Sequence, residues 1–339
     1  MKKSCYGVAL IGCGHMGEAH IQNIYYKSNV RVEYVCDLNA ERAAEFQRKY
    51  GAARITGDYM ECVRSPEVDI VIICTYPSTH LEILEACLTH GKHVLCEKPI
   101  AANEEQSRRF VELVKSHPEC SVLIGYILRH NKTYQKVAEM IHSGAIGQPV
   151  IFRMIQNHHT MDWQKYLALI KETSPLVDCG VHYMDVMRWF SGGEITDVHA
   201  IGLRTEADVP EGKYNYGMMT VRMSNGSIGF YEAGWSNTMS SDNLKEFVGP
   251  KGRIRLIYRR DRQTHKEEGD LIEYYKFPEK VYEMINLQCS RKPTGDEFDY
   301  LVRMIEEGLP AVPTIDEVFK SYQAVCRADE QVRAKLSKS

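Results

Sequence analysis

The chain has 339 residues, 44% of them hydrophobic and 26% charged, with a net charge of −3. One hydrophobic core rarely grows to that length, so two domains of an ordinary soluble globular protein are expected. The nearly balanced charge excludes a strong basic field for nucleic acid or an anionic membrane, and the longest apolar run, Ile70 to Cys74, falls far short of the ~20 residues of a membrane span.

In chain order the first half reads as alternating strands and helices. Val8 to Ile11 is a short apolar run, followed by Gly12-Cys13-Gly14-His15-Met16-Gly17 and a helical stretch from Glu18 to Tyr26. A second strand, Arg31 to Cys36, ends in Asp37, and Ala40 to Tyr50 forms the next helix. Ile70 to Cys74, Val94 to Cys96 and Val122 to Tyr126 are further buried strands, separated by helices at Thr79 to Thr89 and Glu104 to Ser116. This alternation predicts an α/β fold with a doubly wound parallel sheet. A G-x-G-x-x-G pattern is weak in isolation, but here it follows a strand, opens a helix and precedes an acidic residue, Asp37, by about twenty positions. Gly12 permits the tight turn and Gly14 lets backbone approach a pyrophosphate, while Gly17 allows close packing of helix on strand. The reading is a dinucleotide site, with Asp37 and Leu38 at the adenosine ribose. A carboxylate there repels a 2′-phosphate, so NAD is expected over NADP, with Arg42 the residue that would argue the other way.

Glu97-Lys98-Pro99 closes the run His93-Val94-Leu95-Cys96. A cation at the carboxyl end of a parallel strand points at bound ligand, and Pro99 stiffens the turn that presents it. An isolated Lys-Pro would more simply be a solvated turn; the neighbouring strand pattern argues for a site. Pro99 is also a candidate for a cis bond.

After Tyr126 the pattern changes. A helix from Tyr134 to His142 precedes a strand from Pro149 to Gln156 and a polar tract containing His158, His159, Asp162 and Trp163. Strands follow near Ile195 to Leu203, Gly217 to Met223, Ile228 to Trp235, Glu246 to Val248 and Ile254 to Tyr258. Asn225-Gly226 between two alternating runs is a hairpin signal. Sequential hairpins predict a C-terminal α+β domain on a mainly antiparallel sheet, closed by helices at Glu297 to Glu307 and Ile315 to Val332. The expected division is 1–126 for the Rossmann domain and 127–339 for a domain of substrate binding and oligomerisation, whose last helix could pack back on the first. Between these strands, Ser174 and Pro175 open a helix expected to run to Phe190. Asp178, His182 and Asp185 then share one face. Gly180 inside it costs about 1 kcal/mol relative to alanine and implies close approach of either a ligand or a packed strand. A solvated Asp178/His182 pair is the plain alternative. Metal ligation by His158, His159, Cys179 and His182 lacks ligand spacing, and no metal is expected.

The eleven cysteines follow no pairing rhythm, which fits reduced thiols in the cytoplasm better than a disulfide framework. Met1-Lys2-Lys3 before Val8 to Cys13 imitates a lipoprotein leader, but the apolar stretch is too short and its glycine belongs to the dinucleotide motif.

Taken together, the glycine motif with His20, the Thr75-Tyr76-Pro77 to His80 segment, Glu97-Lys98-Pro99, Gly125-Tyr126 with Arg129, and Asp178 to Asp185 resemble the Gfo/Idh/MocA family of glucose-fructose oxidoreductase, inositol dehydrogenase and rhizopine-catabolism proteins. The resemblance implies a Rossmann domain followed by an open-faced sheet used for dimers or tetramers. It implies that Lys98 hydrogen-bonds the reacting hydroxyl, His182 acts as general base, and Asp178 positions substrate or His182. It also implies that His15, Met16, Thr75, Tyr76, Pro77, His80 and Glu97 flank the cofactor, and that Tyr126, Arg129, His158 and Trp163 face the substrate. Arg129-His130-Asn131-Lys132 departs from the arginine, aromatic and proline pattern frequent in the family. The expected function is NAD-dependent oxidation of a secondary hydroxyl of a cyclic polyol, sugar or sugar derivative. A redox-neutral glycosidase or epimerase, and a non-catalytic dinucleotide sensor, are the alternatives.

Overall fold

The computed structural model describes residues 3–160, 162–258 and 269–336. The chain divides into two compact units, residues 1–127 with 292–319, and 128–291 with 320–339. The segment 292–319 therefore rejoins the first unit, which a single cut near residue 126 does not capture.

In the first unit the strands are β1 (Tyr6–Ile11), β2 (Val30–Cys36), β3 (Arg54–Thr56), β4 (Ile70–Ile73), β5 (His93–Cys96) and β6 (Val122–Ile124). All pair in parallel, in the order β3-β2-β1-β4-β5-β6, the doubly wound arrangement whose ligands bind beyond the strand carboxyl ends. Between them lie α1 (His15–Ile21), α2 (Ala40–Tyr50), α3 (Tyr59–Arg64), α4 (Pro77–Thr89) and α5 (Glu104–Ser116). Every residue of β1 and β4 is buried, as strands covered on both faces require.

The second unit carries α6 (Lys132–His142), β7 (Ile151–His159), α7 (Trp163–Glu172), α8 (Pro175–Asp178) and α9 (Gly180–Ser191). Its remaining strands are β8 (Ile195–Leu203), β9 (Tyr216–Met223), β10 (Ile228–Ser236), β11 (Lys245–Gly249), β12 (Gly252–Ile257), β13 (Leu271–Lys276) and β14 (Val281–Asn286). They form one eight-stranded sheet, antiparallel except where β10 runs parallel to β7. The β9–β10 turn is the hairpin announced by Asn225-Gly226: Gly226 has φ 83°, and the Met223 N–H donates to Ser227 O at 2.9 Å. Along β9, Met219, Val221 and Met223 are buried while Thr220 and Arg222 are exposed; this alternation is that of a sheet with one covered and one open face.

The last elements are α10 (Thr294–Glu307) and α11 (Ile315–Leu336). Phe298, Leu301, Val302 and Met304 of α10 enter the apolar cluster built by Val8, Leu10, Ile70 and Ile72. Burying side chains of this size is worth about 1.5–3 kcal/mol each, which is why this helix belongs with the first sheet. Among the described residues no helix is long and apolar enough to cross a membrane.

Candidate active site

At the end of β1 the chain turns at Gly12, with φ +98°, where a Cβ would lie 2.5 Å from Cys74 O. At Gly17 a Cβ would lie 2.1 Å from Gly12 O, whereas at Gly14 it would meet nothing within 4 Å. The first and third glycines are thus consumed by packing, and the second leaves open space for a ligand, as a pyrophosphate cradle requires. Asp37, just past β2, braces this turn: its Oδ2 accepts from Cys13 N and its Oδ1 from Asn39 N, both at 2.8 Å. Leu38 beside it is 96% exposed. Burial, with Asp37 next in effect, pushes the Cys13 thiol up to about 12, so it stays neutral beside the carboxylate. His15 is exposed and Met16 half-buried, and the Nζ of Lys292 sits 2.7 Å from His15 Nε2.

The turns after β4 and β5 are fastened to each other. Tyr76 caps α4 in extended conformation with Pro77 at the first helical position, which suits a residue lacking an N–H. Tyr76 is 49% exposed, whereas His80 is fully buried. Its Nδ1 lies 2.9 Å from Pro99 O and its Nε2 3.1 Å from Thr75 O. Burial pushes its pKa down against the raising effect of both carbonyls. A neutral ring donates through one nitrogen, so His80 ties down one carbonyl at a time. It serves the Lys98-Pro99 turn, whose peptide bond is cis.

Glu97 turns inward. Its side chain is 5% exposed, with Oε1 2.7 Å from His20 Nε2, and Oε2 accepts from the Lys98 N–H at 3.3 Å. A Cβ at residue 125 would come within 3.1 Å of this carboxylate, which accounts for Gly125. The resemblance implies that Glu97 flanks the cofactor; in the structure its carboxylate is tied to His20 and to the Lys98 N–H, and Lys98 itself is half-buried at the strand end. Glu297 of α10 is fully buried, and burial, then the charge of Glu97, raises its pKa well above the usual carboxylate range.

In the second unit Ser174 Oγ accepts from Val177 N at 3.3 Å, capping α8 as expected. The helix is nevertheless interrupted at Cys179, whose φ −95° and ψ −26° remain right-handed. The phase survives, so Asp178 and His182 are half-buried on the stripe that continues to Asp185. Gly180 owes its small size to packing: a Cβ would lie 3.1 Å from Val325 Cγ1 and 3.3 Å from both Met219 Cε and Tyr231 Cε1. Of the two explanations, packing against strands and α11 is the one observed. Asp185, 1% exposed, accepts from Arg129 Nε at 2.7 Å and Nη2 at 2.8 Å, while that guanidinium stacks 4.6 Å from the Trp189 ring centroid.

The other expected substrate residues are spread around this unit and the end of the first. Tyr126 is buried. His158 Nε2 lies 3.3 Å from Gln156 Nε2, and its ring 6.1 Å from that of Tyr166. Trp163 packs on Ile170, Val209 and Trp235 and donates its indole N–H to Asp208 at 2.6 Å. The polar tract after β7 runs into a helix, with Asp162 capping α7 by accepting from Lys165 N. Among the described residues no group of three or more His, Cys, Asp or Glu side chains could hold a metal ion. Two residues went unnoticed in the sequence, Lys292 and Glu297. Only the second left a signal, an acid on the apolar stripe of an amphipathic helix.

Residues 6–126 match the family model described as the GFO_IDH_MocA oxidoreductase family with NAD-binding Rossmann fold, and residues 134–255 match the GFO/IDH/MocA C-terminal domain. Inositol 2-dehydrogenase 2 of Mycolicibacterium vanbaalenii is 30% identical over 251 residues, 72% of this chain and 70% of that one. The chain belongs to the Gfo/Idh/MocA family. Another relative, myo-inositol 2-dehydrogenase of Thermotoga maritima, is 26% identical over 73% of this chain and 74% of its own. The Gfo/Idh/MocA fold extends to scyllo-inositol dehydrogenase from Lactobacillus casei, a structure with bound NAD(H) and scyllo-inositol. That chain superposes with a TM-score of 0.78 at 21% identity over 98% of both chains.

Proposed function

We propose that this oxidoreductase is an NAD-dependent dehydrogenase acting on a secondary hydroxyl of a cyclic polyol or sugar, with inositols the leading class. The observation that carries the reading is the pairing of a braced, open glycine turn with an inward Glu97 that leaves Lys98 presented at the end of β5. The inositol dehydrogenases among its relatives supply the substrate class. NAD, when bound, supplies the hydride acceptor.

The protein's part is charge, geometry and proton handling. Lys98 donates to the reacting oxygen and stabilises the alkoxide as it develops. His182 takes the hydroxyl proton, a task suited to an imidazole near neutral pH. Asp178, four residues earlier on the same stripe, orients that ring or the substrate. Thr75, Tyr76 and Pro77 flank the cofactor; Tyr126, Arg129, His158 and Trp163 shape the substrate side, Arg129 by holding Asp185. The carboxylate of Asp37 just past β2 supports a preference for NAD over NADP, because it would repel a 2′-phosphate bound beside it. The eleven free cysteines support a reducing, cytoplasmic setting, and the open sheet face supports assembly as a homodimer or homotetramer.

The deciding experiment incubates purified protein with NAD and a panel of inositols, aldoses and glycosides, following NADH absorbance and product identity. NADH formed together with a ketone product is the expected result. Product without net NADH would favour the redox-neutral alternative, and neither signal across the panel would defeat the proposal.

A further inference from the structure

We propose that Lys292 is a ligand of the dinucleotide pyrophosphate, supplying the cation that the glycine turn lacks. The inference rests on the reading above that the chain binds NAD. A pyrophosphate brings two negative charges, and the turn answers them with backbone N–H groups and partial charge only. Of its three non-glycine interior side chains, the thiol of Cys13 is buried and neutral, and the other two are the exposed His15 and the thioether of Met16.

Lys292 stands on both of those interior residues, with Nζ 2.7 Å from His15 Nε2 and 3.8 Å from Met16 Sδ. An ammonium donating to an imidazole nitrogen makes a hydrogen bond to a neutral acceptor. A phosphate oxygen offers the same donor a charge-assisted bond about twice as strong, so the cation is already within reach of the better partner.

The position is built into the backbone. Thr294, fully buried, donates from Oγ1 to Ala19 O at 2.6 Å and accepts from Asn23 Nδ2 at 2.9 Å. Its own N–H donates to Lys292 O at 2.8 Å. These bonds clamp the start of α10 onto the end of α1, a short step along the same helix from the glycine turn. Lys292 is also the first residue of the segment that rejoins the first unit, and it lies outside both matched family spans. The chain's return thus delivers a point charge of the kind phosphates accept.

The test is calorimetric binding of NAD, ADP and adenosine to wild type and to the Lys292→Ala, Lys292→Gln and Lys292→Arg variants, at low and high salt, with melting temperatures as a folding control. Loss of one charged hydrogen bond should weaken NAD and ADP by roughly 10- to 100-fold in the two neutral variants, flatten their salt dependence, leave adenosine unchanged, and be largely restored by arginine. Neutral variants that fold and bind NAD and ADP within about twofold of wild type, a change below what a charged hydrogen bond contributes, would overturn the proposal alone. Wild type that binds neither NAD nor ADP would overturn both this inference and the functional reading.

Discussion

Lys98 and Asp37 divide the work of the first unit at the scale of single residues, and each can be separated from its surroundings by mutation. Lys98 occupies a turn held from below by Glu97 and at the side by His80, so truncating its side chain should leave the turn intact. Lys98→Ala is expected to bind NAD within a few-fold of wild type while kcat falls about 10²- to 10³-fold, the cost of removing one donor to a developing oxyanion; calorimetry beside steady-state kinetics reads the two effects apart. Unchanged turnover would remove its assigned role. Asp37 differs because its carboxylate does two jobs. It is the group proposed to meet the ribose, and it also accepts the N–H groups of Cys13 and Asn39. Asp37→Ser should therefore lose discrimination against NADP and also weaken NAD by roughly 5- to 30-fold, since hydrogen bonds to a charged acceptor are worth about 1.5–3 kcal/mol before the serine hydroxyl replaces part of them. An affinity for NAD that stays at the wild-type level while NADP improves would show that the brace is dispensable.

Among the elements, α8 ends in Asp178 and α9 carries His182, whose next turn is anchored by the Arg129–Asp185 fork, with side chains 6% and 1% exposed. Removing one partner of such a buried pair leaves a charge without compensation, at about 3–5 kcal/mol, whereas replacing both with apolar groups is often near neutral. Arg129→Met alone should thus lower stability by that order in chemical denaturation, and Arg129→Met with Asp185→Leu should recover most of it; a double variant as unstable as the single would show that the fork contributes more than charge balance. The same helix shows what could be read in advance. Ser174 and Pro175 marked the start of the expected helix, but the break at Cys179, beside a Gly180 closely packed by Met219, Tyr231 and Val325, leaves no mark in the local sequence. Strands β1, β4, β5 and β6 were legible because burial on both faces makes them apolar runs. Arg54-Ile55-Thr56, a three-residue edge strand, and the largely exposed β14 carry no such run. The glycine turn was legible because its parts are contiguous; Lys292, 277 residues from His15, was not.

For the molecule as a whole, the return of residues 292–319 has a consequence for stability as a function of pH. It brings Glu297 into the core of the first unit, fully buried, with Glu97 at the end of β5, His20 of α1 on that carboxylate, and the Cys74 thiol among the same groups. Burial and the Glu97 charge both favour the neutral acid. An unfolded glutamic acid titrates near pH 4.3, so above that pH the native state holds a proton that the unfolded chain has released. Stability from this group is therefore fully present below about pH 4 and declines as pH rises towards the folded pKa, by about 1.4 kcal/mol per pH unit. His80, held neutral by burial, acts with the opposite sign, since its contribution is lost as pH falls below its usual value near 6.5. A difference between two proteins that share His80 cancels that effect. Glu297→Gln keeps the shape and cannot ionise, so its stability relative to wild type should climb from pH 5 upward, at a slope approaching one proton's worth, about 1.4 kcal/mol per unit, until the folded pKa is reached. Urea denaturation at four or five pH values measures it. A difference that stays flat over that range would mean that Glu297 ionises inside the fold as readily as outside, and the neutral-acid assignment would fall with it.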